Sequence, residues 1–205
     1  MSHTISLNPE EFTLVKYDAA ELLAIAEDAA TTVGVPDNVS IAIEVDEALP
    51  GPLIASAADA TDGNLSFWFS GGSFEDPKRQ ALLQPDMSRT ELAAAFLRGR
   101  DRLDGGFEEA PADGDITERQ RAIWDVYAEG RLDRLGGFLI NEPRRRYSYR
   151  LRCGFNDVAD AEYDRVWNAP SLSWRELRAI EDRIAAADER PVAKKSLREP
   201  SLRHS

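Results

Sequence analysis

The sequence predicts a mixed α/β (α+β) protein: a small three- to four-stranded sheet packed by helices, with a helical, basic C-terminal extension. Three observations predict this class. Apolar residues recur at helical spacing behind capping residues in some segments and alternate with polar residues in others. Glycine and proline lie at the junctions. The chain has 205 residues, 42% of them hydrophobic, which is enough for a compact core with an appendage.

The first part of the chain predicts one helix followed by three strands. The capping residue Asp18 precedes an apolar stripe with helical spacing, and this stripe stops at Gly34. Apolar and polar residues alternate over 39–45, which is typical of a half-buried strand. Shorter apolar runs predict further strands at 53–57 and 65–69.

Two capping boxes predict the two clearest helices. Ser88-Arg-Thr-Glu91 and Thr117-Glu-Arg-Gln120 each precede an apolar stripe with helical spacing. Both stripes end in two glycines and a phenylalanine, at 105–107 and 136–138. A backbone cradle for a ligand is one interpretation of this repeat. We favour a helix stop, because glycine readily adopts the left-handed conformation that ends helices.

The last third predicts a strand, two helices and a tail. Tyrosine, leucine and cysteine alternate with serine and arginine over 147–153, which indicates a strand with one basic face. A short helix is expected at 157–167, and a last helix is expected to start at Ser173. From Arg190 onward the chain is polar and basic and contains two prolines, which predicts a flexible tail.

Charge divides the chain into an acidic and a basic part. Residues 1–142 hold 11 Lys and Arg against 27 Asp and Glu, a net charge of -16, whereas residues 143–205 carry +4. We therefore expect an acidic α/β domain at 1–142, a basic strand with helices packed on it at 143–189, and a tail at 190–205. The acidic body disfavours nonspecific attraction to nucleic acid or anionic membranes.

Cysteine usage and hydropathy predict a cytoplasmic location. Cys153 is the only cysteine, so no internal disulfide can form, which fits a reducing compartment. Residues 1–30 have acidic residues where a signal peptide needs an apolar run. No stretch of 18 apolar residues occurs, so no membrane span is expected.

The positions of the histidines limit the catalytic mechanisms that the sequence predicts. His3 and His204 are the two histidines, and both lie in terminal segments, so the globular body is expected to lack imidazole. Serine–histidine and cysteine–histidine catalysis and zinc catalysis are then not expected. Neither a GxxxxGK[ST] loop nor a GxGxxG fingerprint is present. We accordingly expect no metal and no cofactor.

Carboxylates are the remaining catalytic material. Groups of them could hold Mg²⁺ or act as an acid–base pair, but in so acidic a protein they are also what a solvated face requires. No spacing singles out one group for catalysis. The candidates are Glu44, Asp46 and Glu47 at a strand end, Asp59 and Asp62 beside a turn, and Asp101, Asp104, Asp125, Glu129 and Asp133 on the two central helices.

The most unusual segment is the arginine-rich run at 144–152. One interpretation is a contact surface for an acidic protein partner, with nucleic acid a less favoured partner because the acidic body repels it. The alternative is an edge strand whose arginines pair with the acidic body of the same chain. The candidate partner-binding residues are Arg144, Arg145, Arg146, Tyr147, Tyr149, Arg150 and Arg152.

The order helix, three strands, helix over residues 18–104 resembles the small zincin-like metallopeptidase-fold proteins. In that family the second helix carries the HExxH zinc motif. The matching stretch here is Thr90 to Leu103, with Ala94-Ala-Phe-Leu-Arg98 and Gly99 where the motif would lie. None of the family's ligands matches, so the resemblance implies the fold without its metal.

A second resemblance concerns the helix that runs from Trp124 to Gly136. It is similar to a helix of the cobaltochelatase T-subunit family, where an aromatic–Asp pair precedes a Glu, an Arg and a Gly at similar spacing. Leu97-Arg98-Gly99 is similar to another stretch of that family. Its histidines and its C-terminal metal-adhesion domain are missing here. This resemblance implies a role that depends on a partner.

Two classes of function follow. The first is a non-catalytic binding or accessory protein on a catalytically empty zincin-like domain, acting through a protein partner. The second is a magnesium-dependent hydrolase that uses clustered carboxylates. The hydrolase needs several carboxylates converging in one cleft with room for a metal, whereas the binding protein needs an exposed surface with aromatic anchors.

Overall fold

The computed structural model describes residues 3–49, 51, 56–76 and 78–188 and confirms a mixed α/β protein. Its main sheet has four strands in the order β1-β2-β4-β3. The strands β1, β2 and β4 are parallel, and β3 runs antiparallel to β4 at one edge. Their bounds are β1 Thr4–Asn8, β2 Ser40–Asp46, β3 Ser56–Thr61 and β4 Asn64–Ser70.

Two helices cover one face of this sheet. Helix α1 (Ala19–Val33) begins after Asp18, whose side chain accepts a hydrogen bond from the Ala20 N–H at 2.8 Å, and ends at Gly34 with φ 71°. Helix α2 (Pro85–Leu103) packs beside it. Because side chains alternate along a strand, the buried residues of β2 and β4 face the helices and those between them lie on the open face. The buried ones are Ile41, Ile43, Val45, Leu65, Phe67 and Phe69.

A short antiparallel pair connects the sheet to α2. A 3-10 helix at Gly71–Phe74 leads into β5 (Glu75–Asp76), which pairs with β6 (Arg79–Leu83). Helix α2 then begins at Pro85 with the Gln84 side chain as its N-cap. The predicted capping box at Ser88 is therefore wrong as a helix start, because proline in the first turn begins the helix one turn earlier.

Four helices form the rest of the described chain. The Thr117 capping box is confirmed: α3 (Glu118–Leu135) starts there and ends at Gly136 with φ 75°. Helix α5 has the predicted bounds, and Ser173 and Glu176 bond to each other's main chain at the start of α6. The bounds are α4 Glu142–Cys153, α5 Asp157–Trp167 and α6 Trp174–Asp188.

The buried side chains form two hydrophobic clusters, and α3 contributes to both. One, here called the sheet cluster, joins β1, β2, β4, α1 and α2 and includes Ala128 and Leu132 of α3. The other, the helical cluster, joins the remaining face of α3 to α4, α5 and α6. Trp124 of α3 is fully buried in the helical cluster, and α3 packs against α2 as expected. No helix within the described part of the chain combines the length and hydropathy of a membrane span.

Several predicted features need correction. His3 is not part of a loose terminal segment: it is buried, and its Nε2 lies 3.0 Å from the Val35 carbonyl oxygen. Strand β1, which follows it, was missed because it is short. Of the strand predicted at 53–57, residues 53–55 lie outside the described residues, and β3 starts at Ser56. The tail from Arg190 also lies outside them.

Candidate functional site

The arginine-rich segment is a helix, and the predicted strand at 147–153 is wrong. The Asn141 side chain accepts a hydrogen bond from the Arg144 N–H at 3.1 Å and caps the first turn of α4. Pro143 in that turn suits a helix start, and Gly154 with φ 98° ends it. In a strand Tyr147 and Tyr149 would share a face, but in the helix Tyr147 is exposed and Tyr149 is buried.

The inner face of α4 belongs to the helical cluster. Tyr149 and Cys153, four residues apart on the same side of the helix, are buried. The Tyr149 ring meets the Tyr163 ring edge to face at 5.3 Å between centroids. Burial raises the pKa of the Cys153 thiol to about 12, so this cysteine stays protonated and unreactive at neutral pH.

Two of the candidate arginines are tied to neighbouring helices. Arg150 donates two hydrogen bonds to the Asp160 carboxylate, at 2.7 and 2.8 Å. Arg146 bonds Glu142 at 2.9 Å and Asp164 at 2.5 Å, and its guanidinium lies 4.1 Å from the centroid of the Tyr163 ring. These arginines hold α4 to α5, as in the alternative that pairs the basic segment with acidic residues of its own chain.

Arg145 points the other way, into a cleft between α2, α3 and α4. Its guanidinium pairs with Glu129 and, at 3.4 Å, with Asp125. The other Asp125 oxygen accepts a hydrogen bond at 2.9 Å from Arg98 of α2, whose side chain is 4% exposed and also bonds the Ser56 hydroxyl. Although burial opposes it, the carboxylates of Asp125 and Glu129 raise the pKa of Arg145 above its ordinary value.

The outer face of α4 carries the remaining candidate residues. Arg144, Tyr147 and Leu151 lie along one stripe, three and four residues apart, and Phe155 follows just after the helix. The Tyr147 and Phe155 rings meet edge to face at 6.2 Å between centroids. Arg152 lies beside the stripe and is paired at 3.3 Å with an exposed carboxylate of Glu118.

The cleft is a cavity of about 760 Å³ whose walls come from α2, α3, α4 and the edge strand β3. That volume lies in the range of small-molecule sites, about 300–1,000 Å³. Small and apolar side chains alternate with charged ones along its walls. The charged and aromatic lining residues are Glu91, Arg98, Glu118, Arg121, Asp125, Glu129, Arg144, Arg145, Arg152, Trp68 and Tyr149.

Glu91 is the one carboxylate of the inner cleft without a partner in the described residues: its side chain makes no hydrogen bond and no ion pair there. Burial and the nearby carboxylates of Glu129 and Asp125, opposed by Arg145 and Arg98, together raise its pKa to about 7. A carboxyl group with such a pKa can bind a cation or move a proton near neutral pH.

Two of the other carboxylates singled out in the sequence are held by structural hydrogen bonds. Glu47 accepts hydrogen bonds from the main chain of Thr13 and Leu14 at 2.8 and 2.5 Å. Asp101 accepts from the Trp124 indole at 2.8 Å and from Arg131.

The remaining ones do not converge. Asp59 accepts a hydrogen bond from the Asp113 N–H at 3.2 Å, and Asp46 accepts one from the Ala48 N–H at 3.1 Å. Glu44, Asp62, Asp104 and Asp133 are exposed. Within the described residues, no group of three or more His, Cys, Asp or Glu side chains could hold a metal ion.

Sequence reasoning missed Glu91, Arg98, Leu151 and Phe155 as site residues. Glu91 and Arg98 are seven residues apart with Ala94 between them, so they lie on one helical face with a small residue that leaves room. That spacing was readable from the sequence. Because a strand was predicted for 147–153, the shared helical face of Tyr147 and Leu151 was not recognised.

Comparisons with known proteins add no relative to this picture. No family model, no curated protein and no solved structure matches the chain. The two family resemblances therefore stay predictions, and function has to be inferred from the surface and the cleft.

Proposed function

We propose that this protein is a non-catalytic binding or accessory protein that docks an acidic segment of a partner protein on the outer face of α4. One observation carries the proposal. Six large hydrophobic side chains of the described residues are exposed, and five of them lie between positions 135 and 155. They are Leu135, Leu139, Tyr147, Leu151 and Phe155.

The stripe on α4 has the composition of a docking surface. Tyr147, Leu151 and Phe155 are 57%, 55% and 65% exposed, so their apolar surface faces water at a cost that a partner would relieve. Aromatic side chains beside arginine are typical of the residues that dominate binding energy at protein interfaces. The aromatic pair is held by its own ring contact, which reduces the entropy lost when a partner binds.

Charge favours an acidic segment as the occupant. The Arg144 side chain is exposed and has no ion pair within the described residues. Arg152 is paired only with Glu118, which is 78% exposed, and such surface pairs contribute little. A partner carboxylate could therefore engage both arginines. A long polyanion such as nucleic acid would also meet the net charge of -16 on residues 1–142. A cytoplasmic location suits a chain with one buried cysteine.

The proposal is tested by removing the apolar stripe. We expect Tyr147→Ala with Leu151→Ala to weaken binding of a purified partner by more than about tenfold, because truncation of central anchors costs more than about 1 kcal/mol each. Partners would be found by comparing proteins retained by the wild type and by the variant, and binding would then be measured calorimetrically. Leu14→Ala is the matched control, since Leu14 is 64% exposed and is not part of the stripe.

Two outcomes would contradict the proposal. Equal binding by the wild type and the stripe variant would place the interface elsewhere. A dimeric wild type that becomes monomeric in the stripe variant would identify the surface as a contact between two copies of this chain. Sedimentation velocity distinguishes the second outcome.

The magnesium-dependent hydrolase receives less support from the cleft. Asp125 and Glu129, its best-placed carboxylates, are each paired with an arginine. A metal entering there would have to displace or face two guanidinium groups, and the pairs already neutralise the charge that would attract it. Binding therefore stays ahead of hydrolysis.

We also propose that the domain is zincin-like but carries an altered zinc motif. In HExxH the first, second and fifth residues share one helical face. The predicted stretch Ala94 to Arg98 has this spacing on the cleft, and so does the stretch one turn earlier, Thr90 to Ala94. The earlier stretch keeps a glutamate, Glu91, at the second position, and threonine and alanine stand where the histidines would be.

Histidine substitutions test this register. The wild type is expected to hold no stoichiometric zinc after dialysis, whereas Thr90→His with Ala94→His should bind zinc more tightly than either single variant, because two histidines four residues apart on a helix suit the metal. Elemental analysis of tag-free protein measures both, and the two single variants are the controls. A tightly held zinc in the wild type, or none in a folded double variant, would refute the placement.

A further inference from the structure

Tyr147, Leu151 and Phe155 of the outer face of α4 do not line the cleft between α2, α3 and α4. Its 760 Å³ would hold a small organic molecule. Charged side chains from three helices reach into it, and Arg98, at its inner end, is 4% exposed. Burying charged groups is costly unless each is paired. A charged side chain of the cleft that has no partner therefore indicates the charge that a ligand would supply.

Around Glu91, carboxylates outnumber guanidinium groups by one, because Arg121, which also lines the cleft, is bound by Asp113. Asp125 bridges Arg98 and Arg145, and Arg145 also pairs with Glu129. Glu91 faces these four groups and bonds none of them within the described residues. With Glu91 ionised, three carboxylates face two guanidinium groups, which leaves an excess of one negative charge.

The environment of Glu91 disfavours its ionised form, and therefore the excess negative charge that this form creates. Burial raises the pKa of Glu91 to about 7, and Glu129 and Asp125 act in the same direction, while Arg145 and Arg98 oppose them. A cation beside Glu91 would favour its ionised form and supply the missing partner.

The mouth of the cleft has the opposite character. Arg144 and Arg152 of α4 lie on its rim, and only Arg152 has a carboxylate partner in the described residues, the exposed Glu118. The walls also include Ala94 and Ala122, which offer apolar contact. A ligand that fits is therefore cationic at its inner end, apolar in the middle and anionic at its outer end.

We propose that this cleft binds a small zwitterion in which an aliphatic chain joins an ammonium group, paired with Glu91, to a carboxylate, paired with Arg144. This site goes beyond protein docking on α4, although Arg144 borders both surfaces. A divalent metal fits less well, because Asp125 and Glu129 are already engaged by guanidinium groups. A polyamine fits less well too, because its outer ammonium would meet the arginines of the rim.

Titration calorimetry with defined probes tests the proposal. The probes are 4-aminobutanoate, 6-aminohexanoate and 8-aminooctanoate, with hexylamine and hexanoate as controls that each lack one charge. At pH 8 we expect at least one amino acid to bind, and to bind more than about tenfold more tightly than either control, because a charge-assisted hydrogen bond contributes more than about 1.4 kcal/mol.

Three substitutions locate the site. Glu91→Gln keeps the shape of the side chain and removes its charge, and we expect it to weaken binding more than about tenfold. Arg144→Gln should reduce the affinity for the amino acid to that for the amine. Asp133→Asn is the matched control, because Asp133 is exposed on α3 and does not line the cleft, and it should leave binding unchanged.

The pH dependence gives an independent measure. Since the pKa of Glu91 is about 7, its ionised fraction rises about tenfold between pH 6 and pH 8. Affinity should rise by about the same factor in the wild type and stay flat in Glu91→Gln. The charged groups that face Glu91 are Arg98 of α2, Asp125 and Glu129 of α3 and Arg145 of α4.

The proposal is overturned if no probe binds, if hexylamine or hexanoate binds as tightly as the amino acids, or if folded Glu91→Gln binds like the wild type. Its failure can be told apart from failure of the docking surface. Tyr147→Ala with Leu151→Ala changes side chains that do not line the cleft, and Glu91→Gln leaves the outer face of α4 intact.

Discussion

The two hydrophobic clusters of this protein are built from different side chains. The buried residues of the sheet cluster are alanine, valine, leucine, isoleucine and phenylalanine, together with Tyr17. Tyr17 is the one side chain among them that carries a polar atom. The helical cluster has 16 buried residues, and six of them are tryptophan or tyrosine. Each of those six carries an N–H or O–H group inside the protein: Trp124, Trp167, Trp174, Tyr127, Tyr149 and Tyr163.

This difference explains the position of Arg131. The Trp124 indole donates to Asp101 at 2.8 Å, and Arg131 binds the same carboxylate with two hydrogen bonds of 2.7 Å. The Arg131 guanidinium also lies 3.9 Å from the centroid of the Tyr127 ring. An aromatic core thus draws carboxylates and guanidinium groups to its edge. Arg131 therefore contributes to the edge of the helical cluster.

The largest expected effect tests whether the polar edge adds to packing. Trp124→Ala should lower the free energy of unfolding by about 3–5 kcal/mol, because it leaves a large cavity, and it also removes a donor from Asp101. Phe69→Ala makes a cavity in the sheet cluster without a polar loss, since Phe69 is also fully buried. Urea denaturation of both variants compares the two clusters.

Trp124→Phe separates the two contributions. It keeps most of the ring volume but removes the indole N–H, so a loss of about 1–3 kcal/mol is expected from the missing hydrogen bond to the Asp101 carboxylate, which keeps its two bonds from Arg131. If Trp124→Phe is as stable as the wild type, the hydrogen bond contributes nothing, and the two clusters differ in composition alone.

The second prediction compares a close helix contact in each cluster. A Cβ at Gly130 of α3 would overlap the main-chain carbonyl of Trp167, whereas at Gly99 of α2 it would lie 2.6 Å from the tip of the Phe67 ring. A ring can shift but a packed carbonyl cannot. Gly130→Ala should therefore lower the free energy of unfolding by about 1–3 kcal/mol, and Gly99→Ala by less, because alanine also favours the helix.

Gly114 provides the control for these substitutions. A Cβ there would meet nothing within 4 Å, so Gly114→Ala should leave the melting temperature nearly unchanged. If Gly99→Ala and Gly130→Ala lose equal free energy of unfolding, the two clusters tolerate added side-chain volume equally.

The fold was predictable where local signals agreed with tertiary packing. Asp18 and Thr117 cap helices that also present apolar stripes, and α5 follows directly after Asn156, whose side chain caps it. The alternation over 39–45 gave β2 because one face of the sheet is open to water. In each case the period and the cap pointed to the same element.

The arginine-rich segment failed because its pattern fits two periods. Tyr147, Tyr149 and Leu151 alternate with polar residues, as in a strand, yet Tyr149 and Cys153 also lie four apart, as on a helix. The capping by Asn141 and the contacts with α3 and α5 decide for the helix. Asn141, Pro143 and Gly154 are helix-boundary signals present in the sequence, and the prediction failed because it gave the alternation more weight than these signals.

The candidate site was predictable only in part. Arg144, Tyr147 and Arg152 were named from composition and lie at the exposed surface. The cleft could not be foreseen, since it is formed where α2, α3 and α4 meet, and its residues are up to 96 positions apart in the chain. Burial where the three helices meet raises the pKa of Glu91, and the carboxylates of Asp125 and Glu129 add to this effect. No local pattern encodes that arrangement.

The smallest expected effect distinguishes the two kinds of arginine on α4. Arg150→Ala should lower the free energy of unfolding only slightly, because the Arg150–Asp160 pair is about a third exposed and screened by water. Arg144→Ala should have no measurable effect on stability, since this side chain has no ion pair within the described residues. Chemical denaturation at low and high salt measures both.

The pH dependence of the Arg150 effect follows from the pKa of Asp160. The hydrogen bonds from Arg150 hold that pKa below its ordinary value, although burial opposes them. The pair therefore contributes its full stability above the ordinary aspartate pKa of about 3.9, and the contribution is lost as the pH falls through the lowered pKa of folded Asp160. The difference between the wild type and Arg150→Ala should vanish in that range. If Arg144→Ala destabilises as much as Arg150→Ala, Arg144 has an internal partner and is not free to bind an acidic segment, and the docking surface would lose its cation.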